Sequence, residues 1–237
     1  FKTDGTCTKI PTLPPNSKLG ITKVRAPYYP VREVHGLVLI YMPSDMRKPE
    51  DIDESLFPHF PLDKDKSFDL VTAKPMDCSL DHSVIGLIDP AHVPFVHQSW
   101  FFRKSDNLKL KEKKFAPSHL GFKMVRHTPS KNSAAYKILK KEQTTEISFQ
   151  LPGIRIEHIT VGDKVILIMT TLTPVNETET ELTQFIYTDI SWFKVFRPIF
   201  YRFADTFLQQ DVDVFKKLKE GLNNNPPLML MGDPDMQ

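Results

Sequence analysis

The chain has 237 residues, of which 40% are hydrophobic and 25% charged, and this composition fits a globular protein rather than a fibrous, low-complexity or disordered one. Its 31 Lys and Arg residues balance 29 Asp and Glu residues to a net charge of +2, which gives no electrostatic footprint for nucleic acid. Two cysteines cannot form a disulfide framework, and no apolar run is long enough to span a bilayer, so we expect an intracellular protein without a transmembrane segment.

The first part of the chain predicts short strands separated by irregular segments. Asp4 and Gly5 form a strong tight-turn signal between β-prone flanks, which predicts a hairpin over residues 1–11. After it we predict a proline-rich connector at 11–30 and two strands at 30–34 and 37–42. A charged loop at 43–66 and a further strand at 67–74 follow.

The middle of the chain predicts two helices followed by a sheet. Residues 78–97 lack strict alternation and predict helix, break, helix, with Asp89 and Pro90 as a cap and a first-turn proline. The six strands predicted next span 108–115, 121–126, 144–151, 154–160, 164–173 and 182–191. Because no crossover helix separates them, we expect the sheet to be antiparallel.

Two helices are predicted at the end, over 191–201 and 202–222, with Pro198 kinking or dividing them. The second helix carries an inward-facing apolar stripe formed by Ala204, Leu208, Phe215, Leu218 and Leu222. The position that completes this series holds Asp211, whereas Asp213 lies about 200° further round the helix and should face away. A carboxylate on a buried stripe requires an ion pair, a hydrogen bond or a metal, and a structural ion pair is the plain alternative.

His92 and His97 lie five residues apart in an otherwise apolar segment. On a regular helix they would be about 140° apart, but Pro94 interrupts the helical hydrogen bonds, and a distorted turn could bring both imidazoles to one point. Asp89 could then fix the tautomer of His92, as carboxylates behind metal ligands do. With Asp211 the two histidines would form a 2-His-1-carboxylate triad for Fe(II); two ordinary histidines near a helix end are the alternative.

The segment Asp89-Pro90-Ala91-His92-Val93-Pro94-Phe95-Val96-His97, followed by Gln210-Asp211 on a late helix, resembles the catalytic domain of Rieske-type mononuclear iron oxygenases. More narrowly, it is similar to the branch that contains pheophorbide a oxygenase. Residues 1–11 and the segment around Tyr29-Pro30-Val31-Arg32-Glu33 resemble the end of the Rieske domain. The resemblance implies that His92, His97 and Asp211 are iron ligands, and that Asp89 bridges to a histidine of the neighbouring subunit's Rieske cluster.

The same resemblance implies an α+β fold of the helix-grip (START/Bet v 1-like) type, in which an antiparallel sheet wraps a long C-terminal helix. Residues 1–45 would be the C-terminal remnant of a Rieske [2Fe-2S] domain, and residues 46–237 the catalytic domain. The Cys-x-His and Cys-x2-His cluster motifs are absent from these residues, so we expect the cluster on another part of a longer polypeptide. Gly86 stands where many family members carry Asn, and the later Cys-x2-Cys of the plant branch is missing.

The implied activity is oxidation of an aromatic or polycyclic substrate by dioxygen at mononuclear Fe(II), with a chlorophyll-derived tetrapyrrole as one candidate substrate. Electrons would come from a neighbouring subunit's cluster and, before that, from a ferredoxin or a reductase, in a homo-oligomer that is a trimer when intact. A cytoplasmic or a plastid, thylakoid-associated location is compatible with this. An apolar lining is expected around His92, from Val93, Phe95, Val96, Trp100, Phe101 and Phe102.

Two further functions are compatible with the residues. A helix-grip module could bind a hydrophobic ligand without metal, in which case Asp211 should pair with Lys or Arg rather than lie near the two histidines. A zinc hydrolase could use the same three ligands, with an open position on the metal.

Overall fold

The computed structural model describes residues 1–14, 16–27, 29–42, 54–63, 65–89, 92–97, 113–129 and 141–227. The chain divides into two compact units, the first comprising residues 1–57 and 62–66 and the second residues 58–61 and 67–237. The domain boundary predicted between residues 45 and 46 lies outside the described residues. Among the described residues, no helix is long and apolar enough to cross a membrane.

In the part of the first unit that the structure describes, β1 (Val31–Val34) and β2 (Leu37–Ile40) form an antiparallel pair, as the sequence predicts. Its turn uses two residues with positive φ, 54° at His35 and 78° at Gly36. The buried His35 ring is held by a 3.0 Å hydrogen bond from Nδ1 to the carbonyl oxygen of Lys66. These left-handed positions explain why the turn contains a glycine.

The predicted hairpin over residues 1–11 is wrong, although its turn forms. Gly5 has φ +76° and donates a 3.0 Å hydrogen bond to the carbonyl of Lys2. Thr6 then pairs with Arg25 in an isolated bridge instead of with a local strand. A Cβ at position 5 would lie 2.5 Å from the carbonyl oxygen of Ala26, so the glycine permits this close pairing with a distant segment.

The second unit is built on a seven-stranded antiparallel sheet in the order β3-β9-β8-β7-β6-β5-β4. Its strands in chain order are β3 (Leu70–Met76), β4 (Phe115–Ser118), β5 (Gly121–His127), β6 (Gln143–Gln150), β7 (Ile154–Val161), β8 (Lys164–Asn176) and β9 (Glu179–Thr188). The two edge strands, β3 and β4, contain Pro75 and Pro117. Proline has no N–H to donate, and it is tolerated in an edge strand because such a strand pairs on one side only.

The predicted strands from β5 to β9 are confirmed, with ends that shift by up to three residues. Most of the strand predicted at 108–115 lies outside the described residues, and β4 begins only at Phe115. The alternation of buried and exposed side chains is clearest in β9, whose burial alternates along nearly its whole length. That pattern is expected for a strand with one face in the core.

In the described ranges four α-helices accompany the sheet: α1 (Leu80–Ile88), α2 (Val93–Val96), α3 (Ser191–Val195) and α4 (Arg197–Leu222). The boundary predicted at 201/202 is wrong, because α4 is continuous over 26 residues and begins just before Pro198. Proline is tolerated in a first turn, where its missing N–H would have no helical partner. The predicted α+β architecture, an antiparallel sheet against a long C-terminal helix, is confirmed.

The core lies between α4 and the sheet. The buried residues of α4 are Ala204, Leu208, Val212 and Phe215, and they pack in two apolar clusters with side chains of β3, β8 and β9. Asp213 is exposed, as the helical spacing predicts. Packing therefore fixes the rotation of α4 and, with it, the direction in which Asp211 projects.

Candidate metal centre

The corner between α1 and α2 brings the two predicted histidines together. Helix α1 ends at Ile88, and Asp89 is its C-cap, with an extended backbone (φ −63°, ψ 114°), rather than the cap of the second helix that the sequence predicts. Helix α2 is a single turn that follows its N-cap, His92, and ends before His97. The two imidazole rings meet edge to face, with centroids 5.5 Å apart. The break predicted at Pro94 is wrong, because this proline lies in the first turn of α2 and the N–H of His97 bonds the carbonyl of Val93 at 3.1 Å. The chain is interrupted before His92 instead, at the extended residue Asp89.

Close packing of α1 on α4 sets the position of this corner. A Cβ added to Gly86 would lie 2.4 Å from Cζ of Phe215, so the aromatic ring occupies the space of a side chain. The glycine at this position therefore has a local physical reason. Any larger residue would displace Phe215 or lift α1 away from α4.

Asp211 reaches the two histidines from α4. Its Oδ1 atom lies 3.3 Å from Nε2 of His97 and 4.0 Å from Nε2 of His92. One potential ligand atom from each residue lies within 4.8 Å of the other two, and no other His, Cys, Asp or Glu group in the described ranges meets this criterion. The His97 side chain is 0% exposed, against 24% for His92 and 17% for Asp211, so the site opens on the His92 side.

The ring of His92 is oriented by the main chain. Its Nδ1 lies 2.6 Å from the carbonyl oxygen of Asp89 and 3.8 Å from Oδ2 of the same residue. A carbonyl oxygen only accepts, so Nδ1 carries the proton and Nε2 presents its lone pair towards Asp211. The carbonyl group, rather than the carboxylate suggested by the sequence, makes the short contact with His92.

The ring of His97 is oriented by two side chains of α4. Its Nδ1 lies 3.3 Å from Oε1 of Gln210, and its face stacks on Phe207 with ring centroids 3.5 Å apart. The sequence identified Gln210 only as a neighbour of Asp211 and did not identify Phe207. Spacing could have found Phe207, since it lies four residues before Asp211 and therefore on the same helical face.

Burial lowers the pKa of His92, with a smaller contribution from the neighbouring His97, while Asp211 and the carbonyl of Asp89 oppose the shift. Burial disfavours the charged imidazolium, so the neutral ring is favoured at neutral pH. A neutral imidazole is the form that binds a metal. The corner therefore presents two imidazole nitrogens and one carboxylate oxygen to a common point.

Among the described residues, the charged or titratable nitrogen atoms within 4.0 Å of the Asp211 carboxylate are those of His92 and His97. Lys74, a cation facing the same helix, pairs instead with Asp205 at 2.6 Å. The Lys or Arg partner that a metal-free module would need is therefore not seen in the part of the chain that the structure describes. Of the expected apolar lining, Phe95 is 56% exposed, and residues 100–102 lie outside the described residues.

Comparison with solved structures shows the same fold in several oxygenases. A variant of NdmA from Pseudomonas putida CBB5 with caffeine aligns with a TM-score of 0.70 at 15% identity, over 100% of this chain and 64% of that one. Dicamba monooxygenase bound to dicamba gives 0.67 at 16% identity, over 98% and 72% of the two chains. The terminal oxygenase of carbazole 1,9a-dioxygenase from Nocardioides aromaticivorans IC177 gives 0.65 at 18% identity, over 98% and 70%.

At these identities the structural similarity establishes the fold, and this chain spans 64% of the length of the NdmA variant. No curated protein matches the sequence. The sequence model of the vanillate O-demethylase oxygenase C-terminal domain matches residues 76–235, which include both helices of the corner, the whole sheet from β4 to β9, and α4. This chain therefore belongs to the vanillate O-demethylase oxygenase C-terminal domain family of Rieske-type iron oxygenases.

Proposed function

We propose that this chain is the catalytic domain of an oxygenase that holds one Fe(II) between His92, His97 and Asp211 and oxidises an aromatic or polycyclic substrate with dioxygen. The observation that carries the proposal is the convergence of three ligand atoms within 4.8 Å at the α1–α2 corner. Membership of the Rieske-type oxygenase family supports it independently of that geometry.

The donor set fits such an ion. Two neutral imidazoles and one carboxylate form the 2-His-1-carboxylate set, which binds Fe(II) and leaves positions open. First-row metal ions lie about 2.0–2.2 Å from nitrogen and oxygen ligands, so ligand atoms around one ion are separated by at most roughly 4.3 Å. The observed spread of up to 4.8 Å requires only a small side-chain rotation to meet this limit.

Bound iron would supply open positions for dioxygen and substrate together with one-electron redox chemistry. The residues of this chain prepare that site. The Nδ1 contacts of His92 and His97 direct both Nε2 lone pairs to the same point, and the Asp211 carboxylate offsets part of the positive charge. Phe207 covers the inner side of His97 and excludes water there.

We further propose that electrons enter at Asp89. Its carboxylate is 32% exposed and lies 3.8 Å from Nδ1 of His92, so it can contact both a ligand and an outside group. The outside group would be a cluster-bound histidine of a neighbouring subunit in a trimer, and a ferredoxin or reductase would supply that cluster. Residues 1–45 would be the end of the Rieske [2Fe-2S] domain, and residues 46–237 the catalytic domain.

The substrate proposal is at the level of chemical class. Structures with the same fold carry caffeine and dicamba, and a third belongs to a carbazole dioxygenase, all of which concern aromatic ring systems. We extend that class to this chain. A chlorophyll-derived tetrapyrrole, with a plastid location, is the specific candidate that the sequence resemblance favours.

The test is anaerobic loading with Fe(II), followed by removal of loosely bound metal and measurement of iron per chain. We expect about one iron per chain, and a loss of at least about 100-fold in affinity for Asp211→Ala, because one of three ligands is removed. Asp213→Ala is the matched control, since this exposed aspartate lies two residues away on the same helix. Equal iron binding by the wild type and Asp211→Ala would contradict the proposal.

A further inference from the structure

The two histidines of the corner are oriented by different kinds of group. His92 donates from Nδ1 to a main-chain carbonyl, which no substitution at that position removes. His97 donates from Nδ1 to the side-chain amide of Gln210, a group that the sequence can change. The Nδ1 atom of one ligand is therefore held by the main chain, and the Nδ1 atom of the other is held by a side chain.

We propose that Gln210 is a positioning residue that selects the Nδ1–H tautomer of His97 and so leaves Nε2 able to bind metal; this inference rests on the proposed function of the same site. Gln210 and Asp211, which are consecutive residues of α4, face the two nitrogen atoms of the His97 ring. Gln210 Oε1 lies 3.3 Å from Nδ1, and Asp211 Oδ1 lies 3.3 Å from Nε2.

These two acceptors compete for the single proton of a neutral imidazole. The Gln210 oxygen lies within hydrogen-bond geometry of Nδ1, whereas the Asp211 carboxylate lies outside hydrogen-bond geometry of Nε2. A carboxylate aligned with Nε2 would be the stronger acceptor and would draw the proton to that nitrogen. A proton there would occupy the direction in which the metal must bind. The Gln210 amide oxygen opposes this by holding the proton at the far nitrogen, as groups behind metal-bound histidines do.

The surroundings of His97 make the amide hard to replace. The side chain is 0% exposed, so bulk water has no access to Nδ1. Phe207 stacks on the ring at 3.5 Å and restricts its rotation. Loss of the Gln210 oxygen should therefore shift the proton to Nε2 rather than leave a water molecule as the new acceptor.

The tautomer can be measured without metal. We would label the histidine rings of the 237-residue chain with ¹⁵N and record their long-range ¹H–¹⁵N spectra, assigning His97 by its loss in His97→Asn. The wild type should show a protonated Nδ1, and Gln210→Leu a shift towards protonated Nε2. Gln210→Glu retains an acceptor oxygen and should keep Nδ1 protonated.

Gln209→Leu is the matched control. Gln209 is the preceding residue of α4 and bonds Asp213 instead of a histidine, at 3.0 Å. The Gln209→Leu substitution should leave the His97 signals unchanged. In parallel, Co(II) affinity should fall about 10–100-fold in Gln210→Leu and by less than about threefold in Gln209→Leu. If Gln210→Leu does not fold, Gln210→Asn, whose amide is too short to reach Nδ1, should give the same tautomer shift.

The outcomes separate this inference from the proposed function. An unchanged His97 tautomer in both Gln210→Leu and Gln210→Asn would overturn the role of Gln210, whatever the metal affinity. A tautomer shift together with no metal binding by any of the proteins would support the role of Gln210 in orienting the ring and contradict the iron site. A tautomer shift with unchanged Co(II) affinity would show that the tautomer does not control metal binding, and would overturn that half of the inference.

Discussion

Helix α4 meets two regions of the second unit, and it meets them by different interactions. Against the sheet it buries apolar side chains such as Leu208 and Val212, which pack with Leu172 and Leu182. Against the α1–α2 corner it presents Gln210 and Asp211, which contact two histidines through polar atoms. Adjacent residues of one helix therefore serve stability on one side and metal-binding chemistry on the other.

The two sets of contacts explain how the Asp211 carboxylate, which loses hydration next to an apolar core, is tolerated there. The sheet contacts hold α4 in one rotation, so Asp211 cannot turn to solvent without exposing Leu208 and Phe215. The corner supplies it with two imidazoles instead of bulk water. The contacts of α4 with the sheet, which we call the packing region, thus fix the rotation of the helix, and the metal centre at the corner depends on that rotation. Substitutions in the packing region should therefore change stability, and substitutions at the corner should change metal binding.

The largest expected effect on stability comes from the packing region. Leu208 is 2% exposed within the apolar cluster, and Leu208→Ala should lower the free energy of unfolding by about 2–5 kcal/mol, because it leaves a cavity. Urea unfolding measures this. Val214→Ala, at an exposed position of the same helix, should cost less than about 0.5 kcal/mol. Iron stoichiometry of folded Leu208→Ala should equal that of the wild type; a lost site would show that the two regions are not separable.

Gly86→Ala should affect both regions at once, because Gly86 lies where α1 packs on α4. The added Cβ meets Phe215 at 2.4 Å, and the overlap should cost about 1–3 kcal/mol of stability and weaken Co(II) binding by displacing the corner. The control is Gly221→Ala in the last turn of α4, where an added Cβ meets nothing within 4 Å. That change should stabilise the helix by up to about 1 kcal/mol.

A double substitution sharpens the result for Gly86. Phe215→Leu removes the ring that the new Cβ would meet, so Gly86→Ala should cost much less in that background than in the wild type. Additive losses of stability in the cycle would show that the contact with Phe215 is not the cause.

The smallest expected effect concerns pH. Burial lowers the pKa values of His92 at the corner and His158 in the sheet, and for His158 the nearby Arg126 adds to the shift. A group with a folded pKa below its unfolded value of about 6.5 takes up protons more readily when unfolded. The metal-free chain should therefore be most stable above about pH 6.5 and lose stability as the pH falls below that value, by less than about 1.4 kcal/mol per pH unit for each histidine.

Chemical denaturation of the metal-free chain between pH 7.5 and 5.5 measures this slope. His158→Gln should flatten it without changing metal affinity, since His158 lies in β7 and contacts Arg126 rather than a residue of the metal centre. A slope that is the same in the wild type, His158→Gln and His92→Gln would show that neither histidine causes it.

The sheet could be predicted from the sequence because its signals are local and repeated. The five strands from β5 to β9 each carry a run of β-prone residues between turn residues, and each appears where the pattern places it. The hairpin expected over residues 1–11 failed for the opposite reason. Its turn is local, but the partner of Thr6 is Arg25, which no short-range pattern identifies.

The three candidate metal ligands could be predicted from the sequence, but the contacts that orient them could not. Helical spacing alone placed Asp211 on the buried face, and the apolar segment singled out His92 and His97. The distortion expected at Pro94 does not occur, because a proline in a first turn interrupts no helical hydrogen bond. The hydrogen bond from His92 to a main-chain carbonyl involves no side chain, so no residue type signals it. The contact of Gly86 with Phe215 joins two helices far apart in sequence, and its effect on the corner appears only in three dimensions.

An anomalous difference map from crystals loaded with Fe(II) or Co(II) under anaerobic conditions tests the metal site most directly. We predict one strong peak at the α1–α2 corner, about 2.0–2.2 Å from Nε2 of His92, Nε2 of His97 and a carboxylate oxygen of Asp211. A metal peak bound elsewhere, or a corner that remains without metal density in crystals soaked well above the measured affinity, would contradict this prediction.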